Sequence, residues 1–492
     1  FTLEAPITYD GSSNKTSATT RVAYRDDESG IEGVIVATKS YGEEENVMAD
    51  DKYIDDSEIN KKNFYTNLVK NINDFTRVNF IYENVDTNRI TSQATETLSS
   101  SYSSIDEEVD IERNMTQLGY EYDNPDSELF YNYAKVNLFL QDTQWRDGSD
   151  VEYNATRRSA AKSVVNDYKY NDESKGFNIQ FRSDSKSGGL NNKFTYGLDY
   201  SDTFNSRPRK KTTTQSGTTT IENIKDTADA DTTKFGLYLQ DAVTFDNNEK
   251  LELIAGLRFD KYNINAKSDS AYESTVDGVG VTNEVANLDE KSINPSLSLI
   301  YKLSPELSAY GKFTTAFRAP THSELNTAHG NRAYGYYYLS NPDLKPETSN
   351  NYEVGLKGAY PKANFSLVGF VSKYDDLIDT TLVSGSSCPA YIRNCMEFQA
   401  NNVDEAEIWG IEFSSEYNFN EKKNGFSLLS SLAYNQGDNT SGTEDVPLTS
   451  IEPFKAIIGL KYTTPNEKWT TELISSYVGE ARTSDDYTNN PS

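Results

Sequence analysis

The chain of 492 residues contains only two histidines, His322 and His329, and both lie between two proline-bearing tetrapeptides, Phe317-Arg318-Ala319-Pro320 and Asn341-Pro342-Asp343-Leu344. Neutral imidazole is the commonest transition-metal ligand and one of the axial ligands of haem iron, so this stretch is the leading candidate for a ligand site. The only two cysteines, Cys388 and Cys395, flank Pro-Ala-Tyr-Ile-Arg-Asn in a Gly/Ser-rich segment. That spacing can close a small loop disulfide, which implies an oxidising compartment. Metal binding by the pair is the weaker alternative, because no histidine or third cysteine is near. No Ser/His/Asp, Cys/His or metal-ligand cluster stands out, so an enzyme is the least supported class.

Charge and composition narrow the scaffold. The chain has 47 basic and 76 acidic residues, a net charge of −29. Such a surface repels polyanions, which argues against nucleic-acid binding and means that any anionic ligand must be captured locally. Apolar residues make up only 36%, yet Tyr (34) and Phe (22) are abundant. No run approaches the roughly 18 apolar residues of a membrane helix, so a helical membrane protein is excluded. The acidic stretch 42–56 and the Thr/Ser-rich stretch 212–220 read as mobile, low-complexity loop segments.

The dominant local signal is alternation with a period of two. Leu251, Leu253, Ala255, Leu257 and Phe259 alternate with Glu252, Gly256, Arg258 and Asp260, with only Ile254 breaking the polar side, and Trp409, Ile411, Phe413, Tyr417 and Phe419 alternate with Gly410, Glu412, Ser414, Glu416 and Asn418. Such segments predict an all-β chain of about eighteen strands, at 16–25, 31–41, 61–70, 75–84, 109–122, 128–140, 175–184, 193–204, 233–246, 250–262, 292–302, 306–316, 349–359, 363–374, 408–419, 425–436, 452–463 and 468–478. Short turns such as Ser304-Pro305 and Tyr360-Pro361-Lys362 alternate with long polar loops at 42–60, 85–108, 205–232, 263–291, 317–348 and 437–451. The long loops therefore share one end. An apolar face, a polar face and this alternation of connections match a transmembrane antiparallel β-barrel, with the apolar face on outer-membrane lipid and the polar face lining a wet lumen. Tyr262, Tyr310, Tyr360, Tyr374 and Tyr434 sit near strand ends, where interfacial aromatic girdles form.

Three segments resemble TonB-dependent outer-membrane receptors. The first is Gly236-Leu237-Tyr238-Leu239-Gln240-Asp241 followed by Gly256-Leu257-Arg258-Phe259-Asp260, the second runs from Asn341 through Pro346-Glu347-Thr348 to Tyr352-Glu353-Val354-Gly355-Leu356-Lys357, and the third is Asn402 to Glu412. The resemblance implies a barrel of the 22-stranded plugged type in a bacterial outer membrane. It also implies that the chain, residues 1–492, is a partial barrel. The plug with its energy-coupling box, the first strand and the last three or so strands would fall outside it, and the sequence, which starts without Met and stops in a polar loop, reads as a fragment.

Within that family, Phe-Arg-Ala-Pro and Asn-Pro-Asp-Leu around a histidine resemble the haem and haemoprotein receptors. This implies an extracellular haem loop at 317–348, active import of haem, free or taken from haemoproteins such as haemoglobin, and partnership with the TonB energy-transducing complex. The family position, matched on its flanks, is His329 in Ala328-His329-Gly330, as an axial ligand at the tip of a flexible loop; His322 is secondary. Gly330 lets the backbone approach a porphyrin closely. Tyr334, Tyr336, Tyr337 and Tyr338 offer stacking or a phenolate, and Arg332 a partner for a propionate, against the plainer reading of loop packing and solvated charge. Pro320, Pro342, Asn341 and Asp343 fix turns, so the tetrapeptides read as a frame, with Arg318 in a lumen or rim contact. The alternatives are a ferric-siderophore or cobalamin receptor on the same scaffold and, from another class, a passive porin or surface adhesin. In the haem reading, haem is the transported ligand, and no catalytic cofactor is expected.

Overall fold

The computed structural model describes residues 1–11, 13–43, 55–93, 98–157, 159–245, 250–273, 285–331, 336–383, 396–420, 424–442, 445–448, 450–480 and 482. In chain order the strands are β1 (Thr2–Glu4), β2 (Ile7–Asp10), β3 (Lys15–Asp26), β4 (Ile31–Glu43), β5 (Asp56–Asn73), β6 (Thr76–Ser92), β7 (Tyr102–Asp123), β8 (Tyr133–Tyr153) and β9 (Lys162–Ser187). Then come β10 (Leu190–Ser206), β11 (Arg209–Gln215), β12 (Thr218–Ile224), β13 (Asp229–Phe245), β14 (Leu251–Lys267), β15 (Leu288–Lys302), β16 (Leu307–Arg318), β17 (His329–Asn331) and β18 (Tyr336–Leu339). The series closes with β19 (Glu347–Ala359), β20 (Ala363–Val383), β21 (Met396–Asn418), β22 (Gly425–Asn439), β23 (Val446–Pro447), β24 (Lys455–Thr463) and β25 (Thr470–Val478).

Each of the eighteen predicted segments overlaps one strand of a single antiparallel sheet in which sequential long strands are neighbours. Its register carries the alternation from strand to strand. Leu239 of β13 stands opposite Leu257 of β14, which faces Pro295 of β15, and Leu253 faces Leu299. Leu239 and Leu257 remain about half exposed although they are apolar, so their face meets no protein. Lipid is the solvent that makes such a face stable. Tyr238, Arg258, Asp260 and Asn294 occupy the opposite face, where Arg258 bonds Asp199 and Asp260. Two-residue turns hold the tight hairpins: Gly188 and Gly189, both at positive φ, join Ser187 to Leu190.

The structure corrects the sequence reading at four places. β1 and β2, which the strand series from sequence did not include, pair with β3 as one strand interrupted at Ala5-Pro6. The stretch 212–220 is not a loose loop. It belongs to a hairpin, β11–β12, closed by Ser216 and Gly217 at positive φ and laid against the upper part of β9, because β-branched threonines favour extended backbone. Strands β7, β8 and β9 run far beyond the predicted ends at the long-loop side, where both faces are wet and period-two patterning stops marking the strand. Finally, the compact apolar core lies at the loop end, on the inner face. Ala230, Ile264, Ala266 and Leu288 share that face and pack with Ala228, Tyr272, Ala319, Leu325, Ala328 and Leu344 from the connections.

Candidate ligand site at the mouth

The segment containing both histidines is fixed at each end by an ion-paired strand junction. Arg318 ends β16 opposite Glu347, the first residue of β19. Its guanidinium donates through Nε and Nη2 to Glu347 at 2.6 and 2.7 Å, and through Nη1 to both Glu324 oxygens at 3.0 and 3.1 Å. Glu347 also accepts from the Ile378 backbone N–H. Glu324 completes a capping box with Thr321 that starts the short helix His322–Asn326. Pro320 and Ala319 are buried beneath it. In the first tetrapeptide the planar fork of Arg318 joins two strands to a helix start.

Beyond the helix the loop is stapled, not loose. Leu325 and Asn326 are fully buried. The Asn326 side chain accepts from the Ala286 N–H at 2.7 Å and donates to the Ala286 carbonyl at 3.0 Å, and Tyr272 donates its hydroxyl to the Asn326 carbonyl. Thr327 bridges Thr227, and Ala328 N–H donates to the Asp226 carbonyl. β17 pairs with β18, which pairs in parallel with β21, and Tyr338 stacks on Phe398 with centroids 5.2 Å apart. The second tetrapeptide is fastened the same way. Asn341 donates to Ala400 and Asn401 while accepting from Asp343 N–H, Leu344 enters the core, and Asn402 exchanges two bonds with the Lys345 backbone. Pro342 and Asp343 are exposed. The expected flexible loop is therefore a packed cap across its described part, because singly placed Tyr, Ala and Asn residues from three connections complete one core.

His322 lies at the start of the helix, buried to 9% exposure, and its Nε2 has no hydrogen-bond partner. Burial first, and the charge of Arg207 second, push its pKa down to about 4 against the pull of Asp172 and Asp229. His329 opens β17, half-buried, with its ring 6.0 Å from that of Tyr336. Burial, then Arg209, lower its pKa against Asp226. Both imidazoles are therefore neutral at neutral pH, the state that coordinates iron. Arg332, Tyr334, Cys388 and Cys395 lie outside the described residues. Tyr336 is at the site, and Tyr337 is buried with an unpartnered hydroxyl. Arg207, Arg209, Tyr272, Asn326 and Asn402 were missed by sequence reasoning. None carries a periodic signal; only Asn402, inside a family-like segment, had a marker.

A family model described as the TonB dependent receptor-like β-barrel matches residues 50–492. Among curated relatives, the haemoglobin-haptoglobin utilization protein B of Neisseria meningitidis serogroup A is 28% identical over 280 residues, 52% of this chain and 34% of the relative. A hemin receptor of Yersinia enterocolitica is 24% identical over 383 residues, 74% of this chain and 47% of that protein. The chain thus spans a third to a half of the length of these two. Among solved structures, the Serratia marcescens haemophore receptor HasR, in complex with its haemophore HasA and haem, superposes with a TM-score of 0.69 at 14% identity, covering 97% of this chain and 73% of that one, a likeness of fold. With the strand series, the lipid-type face and the family match in agreement over most of its length, the chain belongs to the TonB-dependent receptor β-barrel family of the outer membrane, a family of receptors and not an enzyme class.

Proposed function

We propose that this chain is the barrel of a receptor that captures haem, free or from a haemoprotein such as haemoglobin, and imports it with energy from the TonB complex, with His329 as an axial ligand of the haem iron. The observation that carries the reading is the placement of both histidines at the mouth, His322 buried with an unpartnered Nε2 and His329 half-buried beside Tyr336, on a cap packed against the inner face of the sheet. The names of the Neisseria and Yersinia relatives support the same ligand class. A half-buried histidine on a fastened strand costs little rearrangement to bind iron, and the ring of Tyr336 lies beside it. His322, deeper and with a free Nε2, is the secondary candidate.

The test is His329→Ala in the full-length receptor. Loss of haem-dependent growth together with a change in the absorption spectrum of bound haem is expected. Unchanged growth and an unchanged spectrum reject the assignment. A receptor that binds a ferric siderophore or cobalamin, but no haem, rejects the function as well.

A further inference from the structure

Within electrostatic reach of His322 and His329, through Arg207 and Arg209 respectively, the upper part of β9 and the chain that follows β10 bring rings and cations together. Trp145 and Tyr170 are register partners with rings stacked 5.2 Å apart at 27°. Both lie on the inner face, since the exposed apolar residues Leu138 and Leu140 occupy the other parity of β8. The Arg207 guanidinium lies 5.2 Å from the Tyr170 ring, and that of Arg209 lies 4.8 Å from the Tyr168 ring. The two arginines differ in one respect. Arg209 is neutralised by Asp226 at 2.6 Å, with both side chains largely buried. Among the described residues, Arg207 has no carboxylate within ion-pair distance. The acids nearest His322 are held elsewhere: Asp172 accepts from Asn205, and Asp229 from Lys225.

We propose that Arg207, seated on the Tyr170–Trp145 stack, is the carboxylate-binding residue of the mouth and selects planar aromatic ligands that carry carboxylate groups. This deepens the haem reading and rests on it. In a chain of net charge −29 an anionic ligand is repelled at long range, so a guanidinium without a carboxylate partner among the described residues, within electrostatic reach of His322, supplies the attraction locally. A cation resting on a ring keeps its N–H donors at the edge, where a carboxylate can take two of them. Trp145 remains 44% exposed and offers a second flat surface to the macrocycle.

The experiment compares hemin with hemin dimethyl ester, which has the same iron and macrocycle but no carboxylates, in spectral titrations of the full-length receptor. The unaltered receptor binds hemin more tightly than the ester. Arg207→Ala weakens hemin by about tenfold and leaves the ester unchanged, abolishing the preference. Arg207→Lys keeps part of the preference, and Trp145→Ala weakens both ligands together. An Arg207→Ala receptor that loses both ligands equally, or neither, overturns the assignment while leaving haem binding standing. If the unaltered receptor binds neither porphyrin, the haem reading itself falls.

Discussion

Arg318 and Glu347 are cross-strand partners joined at two points, and the same guanidinium reaches the capping residue Glu324, so one side chain ties β16, β19 and the helix start together. Glu347 is nearly buried, while Arg318 is partly exposed. Arg318→Ala leaves that carboxylate facing only the Ile378 N–H and removes the helix-start contact. A loss of about 2 kcal/mol in local stability follows, reduced from the fully buried case because solvent reaches the arginine. Arg318→Lys recovers less than half of it, since an ammonium cannot fork. Hydrogen exchange at 319–328 reads the effect: faster exchange there, with the sheet unchanged, is the expected outcome, and equal protection in Arg318→Ala refutes it.

Asn326 acts as a backbone substitute. Its amide pairs with both polar groups of Ala286 in a fully buried place, while its own carbonyl takes the Tyr272 hydroxyl. Asn326→Ala strands a buried N–H and a buried carbonyl, at a cost of about 2 to 4 kcal/mol. Asn326→Asp keeps the acceptor and loses the donor, so its cost is intermediate or larger if the acid stays ionised. Limited proteolysis of intact cells, followed by mapping of the cuts, should find new cleavage in 263–291 and 317–348 for Asn326→Ala. Resistance equal to the parent would mean that the three connections are not a unit.

The buried His322 makes the cap acid-sensitive. Its folded pKa of about 4 lies below the ordinary 6.5, so between these values the unfolded cap binds a proton that the folded cap refuses. Stability is then full above pH 6.5, falls as pH drops toward about 4, and levels off below. The total is on the order of 3 kcal/mol. In His322→Leu the slope disappears, and because Nε2 has no partner to lose, stability at pH 7 stays the same or rises. Hydrogen exchange of the ligand-free cap against pH distinguishes the two; a slope that survives in His322→Leu assigns it to another group.

The sheet was legible because a strand between lipid and water must alternate, as Leu251 to Asp260 does. That constraint vanishes away from the bilayer. The Thr-rich hairpin β11–β12 and the upper part of β9 lack it, and β1 and β2 are too short on either side of Pro6 to show it. The histidine segment was legible through its frame of Arg318 and Asn341, whose turn chemistry is local. Its packing was not. Tyr272, Asn326 and Leu325 meet across gaps of about 40 to 54 residues in sequence, and a single buried residue in a polar loop leaves no pattern.

Leu239 and Gln240 offer a matched test of which face meets lipid. They are adjacent on β13 at the same depth, Leu239 opposite Leu257 and Gln240 opposite Gly256, and both are exposed. If the Leu239 face lies in hydrocarbon, Leu239→Arg costs about 2 to 4 kcal/mol near the midplane, because the guanidinium must be desolvated or drag water and headgroups inward. Gln240→Arg costs little, since its side chain enters a wet lumen already furnished with paired charges such as Arg258 and Asp260. Assembly into phospholipid vesicles, followed by denaturant unfolding of each variant, measures the difference. Equal destabilisation of the two would remove the assignment of faces, and with it the placement of the histidine cap over the lumen.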